Sequence, residues 1–197
     1  LKKANKTKKS KKLDHLDLLY SSDFTIDILN RTLYLHEEID FNITKRIISG
    51  INLLTWTSPK KPIFLDINCS GGCTIDGLAL CDTISNSKTP IVGIVKGGCM
   101  SMAVFIIAVC HKRLASANSQ FMIHQISNFY EENTTERLSS KRVDIKYLEN
   151  LEDISNQILY KKTKFTEDFM ENVVKTENYY FNSEEALKLG LIDKIIK

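Results

Sequence analysis

Apolar and polar positions along this chain fall into blocks that switch between two periods. In FNITKRIISGINLLTW, Ile43, Ile47, Ile48, Ile51 and Leu54 recur at three- and four-residue intervals, the spacing of an amphipathic helix. PIFLDIN and IVGIV are short runs rich in β-branched and aromatic residues, which predicts buried strands. Pro59 and Pro62 end the first helix, and Lys88-Thr89-Pro90 ends a second one running through TIDGLALCDTISNS. Upstream, FTIDILNRTLYL reads as two β-rich pieces around the polar Asn30-Arg31. Strand, helix, strand, helix with short links predicts parallel pairing and right-handed crossovers. A ligand site is then expected at the carboxyl ends of the strands.

Two glycine pairs fall at such ends. Gly71-Gly72 follow PIFLDIN, and Gly97-Gly98 precede CMSMAVFIIAV, a run apolar on nearly every side and so expected to form a buried helix. The second pair predicts a tight strand-to-helix turn that leaves Ser101 in the first turn of that helix. There its oxygen meets the partial positive charge of the helix terminus, and the unpaired N–H of Met102 is free to bind a developing oxyanion. Gly71-Gly72 can offer a second donor, or can simply serve a turn that needs glycine.

His124, in FMIHQI, follows Ser101 by 23 residues. Phe121 and Ile123 point to one face of the expected strand, Met122 and His124 to the other. His124 therefore reads either as a hydrogen-bonded core histidine or as a base for Ser101, whose hydroxyl is a weak nucleophile unless its proton is taken. Farther on, Leu138, Val143, Ile145, Leu148, Leu151, Ile154, Ile158 and Leu159 run through a long polar stretch and predict an amphipathic helix. A helix projecting from the main body would leave an apolar stripe exposed unless another subunit covered it.

Composition narrows the class. The 197 residues, 43% of them apolar, suit one domain with a substantial core. The net charge of +3 is a property of the N-terminus, where seven of the first twelve residues are lysine and the remaining 185 carry about −4. Residues 1–23 are expected to be a solvated basic arm, and 24–197 a single domain. No metal is expected, because Cys69 and Cys73 flank two glycines with no second Cys or His pair at zinc-ligand spacing. The five cysteines read instead as small buried thiols in a reducing compartment. No apolar run reaches the ~18 residues of a membrane span.

The order of these segments is more specific than any one of them. TLYLHEEID, KPIFLDINCSGG, LALCDTI, GGCMSMA, ANSQFMIHQ and FNSEEALKLGLIDKII together resemble the proteolytic subunit of the Clp proteases. The resemblance implies an α/β, crotonase-like superhelix of repeated ββα units, with residues 128–165 forming a projecting handle. It implies a serine endopeptidase of unfolded proteins or peptides, with Ser101 as nucleophile, His124 as base and the N–H groups of Gly72 and Met102 as oxyanion hole. It implies no cofactor, a homo-oligomer of heptameric rings forming up to a tetradecamer, and an AAA+ ATPase chaperone as a partner; neither membrane nor nucleic acid is expected. The compartment implied is the cytoplasm, or a plastid-type organelle interior if the lysine arm is a leader remnant.

The departures from the family pattern carry information too. The usual Ser-Pro-Gly-Gly is here Cys69-Ser70-Gly71-Gly72, and Gln-Pro after the histidine is Gln125-Ile126. Where the family carries the acid of its triad, this chain has Tyr179, with Asn178 and Glu177 as the nearest alternatives. A tyrosine is neutral at pH 7, so it can orient an imidazole but cannot offset the charge of an imidazolium. The alternative reading is thus a catalytically impaired Clp-like subunit that serves as a ring member or adaptor.

Overall fold

The structure, a computed structural model, describes residues 25–126 and 138–197. The basic arm and the first part of the expected handle lie outside the described residues. Chain order is β1 (Ile26–Asp27), β2 (Thr32–Leu35), α1 (Phe41–Thr57), β3 (Ile63–Cys69), α2 (Thr74–Ser85), β4 (Ile91–Met100), α3 (Met102–Val109), β5 (Lys112–Ser116) and β6 (Gln120–Ile123). After the undescribed segment come α4 (Leu138–Lys162), the short α5 (Glu167–Phe169), a π-helical turn (Met170–Val174), β7 (Tyr179–Asn182), α6 (Ser183–Lys188) and β8 (Lys194–Ile196).

The strands form one sheet in the order β1-β2-β3-β4-β5-β8, with β6 branching from the far end of β4 and β7 beyond it. Pairing is parallel except for the β1–β2 hairpin and the β6–β7 pair. This is the alternating strand–helix plan that the sequence predicts. Asp40 caps α1 by accepting from the Ile43 N–H at 2.8 Å, which satisfies one of the orphan donors of the first turn. Ile43, Ile47, Ile51 and Leu54 then bury the predicted face against the sheet. Every residue of α3, from Met102 to Val109, is buried, so this helix is held by apolar contact on all sides.

Three expectations need correction. Gly97-Gly98 are not the strand-to-helix turn: β4 runs extended through both and on to Met100. Gly97 has φ +103°, and a Cβ there would stand 2.5 Å from Asn68 Oδ1, so glycine is required by a close approach between strands. Asn68 also accepts from the Gly98 N–H at 2.9 Å. Past this point β4 leaves β5 and pairs with β6, which carries its end out to the site. Second, Cys73 is exposed, while Cys69, Cys81, Cys99 and Cys110 are buried. Burial pushes the Cys110 thiol up to about 12 and the Cys99 thiol well above its ordinary value, so both stay neutral. Third, the apolar positions of α4 do not behave as one stripe. Leu151 and Leu159 are buried, whereas Val143 and Ile145, in the half before them, and Ile154, on the outer side of the half that packs on the body, are exposed.

The C-terminal elements are tied to the sheet by one arginine. Arg113 donates to Asp193 through Nε at 3.1 Å and Nη2 at 2.5 Å, and its Nη1 reaches the carbonyls of Lys162 and Gly190 at 3.0 and 2.8 Å. Among the described residues no helix is long and apolar enough to cross a membrane.

Candidate active site

Ser101 stands between β4 and α3 with φ 53° and ψ −125°, a backbone conformation that costs a non-glycine residue free energy and persists only when its surroundings hold it. The turn is therefore made at the serine itself, three residues after the glycine pair. Its N–H donates to the Met122 carbonyl at 2.7 Å, so the turn is fastened to β6. His124 follows two residues farther along that chain, just past the end of β6, and its Nε2 lies 2.8 Å from Ser101 Oγ. Phe121 and Ile123 are buried on the opposite face, as the alternation requires. His124 is thus bonded not to a core partner but to the serine.

The Gly71-Gly72 turn abuts this pair. Ile39 straps it down: the Ile39 N–H donates to Gly71 O and the Cys73 N–H donates to Ile39 O, both at 2.7 Å. This strap leaves the Gly72 N–H out of the pairing, and Met102, as the first residue of α3, likewise has no intrahelical acceptor for its own N–H. Both glycines have positive φ, +100° and +142°. A Cβ on Gly71 would stand 2.6 Å from the Ser101 Cβ, and one on Gly72 would stand 2.3 Å from Ile39 O. Glycine is needed here for close approach to the serine as well as for the turn. Below the turn, Cys69 Sγ accepts from the Gly71 N–H at 3.3 Å, and burial raises this thiol despite that bond.

Ser101 and His124 open onto a cleft of about 730 Å³ that Gly72, Cys73, Met102 and Phe105 line from one side and α4 from the other. Behind the imidazole lies a second hollow of about 480 Å³, lined by His124, Gln125, Val174, Lys175, Thr176, Glu177 and Asn178. Glu177 and Asn178 are exposed there, and among the described residues neither makes a hydrogen bond to His124. Tyr179 is elsewhere: it pairs with Ile123 across β6–β7, stacks on Phe181 at 5.3 Å, and donates its hydroxyl to Glu185. Burial first, then the Glu185 bond and charge, push its phenol up to about 12.

The pairing of Ser101 with His124 was a sequence expectation, as was their meeting at the carboxyl ends of strands. The commitment of Tyr179 to Glu185 was not, though Glu185 lies six residues on, in the first turn of the following helix. Exposed Cys73 in the cleft was missed as well, because a cysteine between a glycine turn and a helix carries no signal of its accessibility. Among the described residues no group of three His, Cys, Asp or Glu is placed to hold a metal ion.

A serine and a histidine in hydrogen bond, at the carboxyl edge of a parallel sheet and beside two N–H groups without an acceptor among the described residues, have the layout of a serine-hydrolase centre on an α/β scaffold. The chain belongs to the Clp protease family, whose model, described as Clp protease, matches residues 21–197, and it has the α/β fold of that family. It is 31% identical to the ATP-dependent Clp protease proteolytic subunit of Deinococcus radiodurans over 169 residues, 85% of this chain and 80% of that one. It is also 31% identical to proteolytic subunit 2 of Prochlorococcus marinus over 173 residues, 85% of this chain and 82% of that one. Proteolytic subunit 3 of a Synechococcus strain shows the same identity over 171 residues, 85% and 83% of the two chains.

Proposed function

We propose that this chain is a serine endopeptidase subunit whose nucleophile is Ser101. His124 Nε2 takes the hydroxyl proton as Oγ attacks the peptide carbonyl, and the N–H groups of Gly72 and Met102 receive the oxyanion. The protonated imidazole then gives its proton to the leaving amine, and water, activated by the same nitrogen, cleaves the acyl-enzyme. The 2.8 Å contact between Ser101 Oγ and His124 Nε2, at the mouth of a cleft, is the observation that carries this reading.

Support for the imidazole comes, on this reading, from the Glu177–Asn178 side. Those two residues line the hollow behind His124, whereas the Tyr179 hydroxyl is engaged by Glu185. Glu177 brings the negative charge that a tyrosine lacks. A second reading, a ring member of very slow or no turnover, is favoured by one observation: no carboxylate among the described residues is in hydrogen bond with His124. Loss of the acid in such a triad costs ~10⁴ in kcat, so the two readings differ in rate by a measurable amount.

Assembly into rings that enclose the sites is part of the proposal. The half of α4 that leaves the body exposes Val143 and Ile145, apolar surface that a second subunit can cover. A closed chamber would restrict substrates to unfolded chains and short peptides. The relatives are named ATP-dependent, which supports an ATPase partner that feeds the chamber. The five unpaired thiols suit a reducing interior such as the cytoplasm.

Treatment of the assembled protein with a fluorophosphonate tests the chemistry. Labelling is expected at Ser101, mapped by mass spectrometry, and is expected to vanish in Ser101→Ala and fall at least a hundredfold in His124→Ala. A folded assembly that stays unlabelled rules out the peptidase reading.

A further inference from the structure

The parallel strands β2, β3, β4, β5 and β8 all start at a cation. Arg31 precedes β2, Lys60 and Lys61 precede β3, Lys88 precedes β4, and Lys112 and Lys194 open β5 and β8. The register sets these starts side by side, with Thr32 opposite Phe64, Ile63 opposite Ile91, Val92 opposite Lys112 and Leu114 opposite Lys194. At about 4.8 Å per strand, the row runs for about 19 Å along the amino end of the sheet. It lies at the other end of β4 from Ser101, about 30 Å away by the length of that 10-residue strand.

The links that carry the row are stitched to one another. Arg31 Nε donates to the Pro62 carbonyl, and Thr89 Oγ1 to the Pro59 carbonyl, both at 3.0 Å. The His111 N–H donates to Ile91 O at 2.9 Å, and the Asp193 N–H to Arg113 O at 2.7 Å. All three prolines of the chain, Pro59, Pro62 and Pro90, fall in these links, so the backbone there has few conformations open to it. Little ordering is then left for a partner to impose.

The row carries one sign of charge. Lys60, Lys61, Lys88, Lys112 and Lys194 are exposed, and none forms a salt bridge among the described residues. The carboxylates nearby are already engaged: Asp193 is held by Arg113 and also feels Lys112, and Asp27 accepts from the Asn30 N–H and side-chain amide at 2.9 and 2.7 Å. Strand starts need polar residues to meet water, but they do not need a single sign. Nor do helix dipoles account for the lysines, because α1 and α2 carry no basic residue in their last turns, where a cation would complement the dipole. Trp56, near the end of α1, is 82% exposed. It adjoins the row, since Arg31 donates to Thr57 Oγ1 at 3.3 Å and to the Ser58 carbonyl at 3.1 Å. An exposed tryptophan there adds an apolar anchor to a cationic surface.

We propose that this edge is a docking surface for an acidic segment of another protein, whose carboxylates meet the lysine row and whose apolar residue packs on Trp56. Nucleic acid fits less well. The 185 residues after the lysine-rich start carry about −4, so the body as a whole repels a long polyanion, whereas a short acidic segment meets only the local field. The proposal is independent of the chemistry at Ser101.

A short peptide of alternating glutamate and serine with one leucine, and its glutamine counterpart, are the probes. The Ser101→Ala protein is used so that neither is cleaved. Carbodiimide coupling of the glutamate peptide, mapped by mass spectrometry, is expected at Lys60, Lys61, Lys88 and Lys112 in preference to Lys45 and Lys146, which are also exposed. By fluorescence anisotropy, the double variant Lys60→Gln/Lys88→Gln should bind the glutamate peptide about fivefold more weakly, the scale of two exposed ion pairs. Lys45→Gln/Lys146→Gln, with the same net charge, should stay within about twofold of the parent protein. Trp56→Ala should weaken this peptide about threefold and leave a leucine-free one unchanged. Coupling confined to the lysines of residues 1–12, equal loss in the two double variants, equal binding of the glutamine peptide, or no effect of Trp56→Ala overturns the proposal. So does an oligothymidylate of matched charge that binds more tightly than the peptide and is lost in Lys60→Gln/Lys88→Gln.

Discussion

The Tyr179 hydroxyl donates to Glu185, in the first turn of the helix that its own strand leads into, and not to His124. That contact ties β7 to α6, so its loss is expected to be structural. Tyr179→Phe should lower stability by about 1 kcal/mol, less than a fully buried bond to a charged group because the site is partly exposed. Fluorophosphonate labelling of Ser101 should stay within about twofold of wild type. A drop of a hundredfold would instead put Tyr179 behind the imidazole.

The same phenol has an alkaline signature. Its folded value is raised to about 12 while the unfolded chain titrates near 10. Between those values the folded protein keeps a proton that the unfolded one has lost, so this contribution to stability is full below about pH 10 and declines as pH rises toward 12. Denaturation midpoints of wild type and Tyr179→Phe should therefore converge between pH 10 and 12. Parallel curves would mean that the phenol is not held in its neutral form.

Glu177 carries the prediction that separates a supported dyad from an unsupported one. It lines the hollow behind His124. Glu177→Gln should slow acylation of Ser101 tenfold or more while leaving the melting temperature within about 2 °C, a surface substitution in stability terms. Asn178→Ala, which removes no charge, should cost less than Glu177→Gln. If neither substitution changes the rate, the imidazole works without help from that wall.

Gly71→Ala probes the turn. The added Cβ would meet the Ser101 Cβ at 2.6 Å and Met100 O at 2.9 Å, at a φ that disfavours any side chain. Stability should fall by about 1–3 kcal/mol and labelling should be lost with it, because relief of the clash requires movement of the serine. A variant that labels at the wild-type rate would show that the turn can shift without Ser101.

Asp193 gives the acid-side counterpart. Burial alone would raise its carboxyl, but the Arg113 hydrogen bonds and charge outweigh that and hold it below the ordinary carboxylate value. A depressed carboxyl contributes stability above its unfolded value, and the contribution disappears as pH falls through that value to the folded one. Urea unfolding at pH 6 and pH 3 should show a smaller acid loss in Asp193→Asn than in the wild type. The variant should also be less stable at pH 6, since Arg113 then has no counter-charge.

Much of this arrangement is legible in the residues because it rests on local rules. The β-branched runs at Ile63 and Ile91 become buried parallel strands, and the wholly apolar Met102–Val109 becomes a buried helix, since each has only one stable way to hide its surface. The Ser101–His124 pair follows from strand order and a resemblance in motif order. What the sequence conceals depends on tertiary approach. Nothing near Gly97 announces that Asn68 from the neighbouring strand will occupy the space of its missing side chain. The exposure of Val143 beside the burial of Leu151 depends on where α4 leaves the body, and periodicity treats both alike.

The hydrogen bond from the Ser101 N–H to the Met122 carbonyl means that the distance between serine and imidazole is measured out by main chain. Two residues of strand and one amide contact set the gap, and no side-chain packing has to be tuned for it. The pair is therefore assembled when the sheet closes, before any substrate arrives. Side chains around the cleft can vary in size and charge, and so change what is admitted, without moving the atoms that would react.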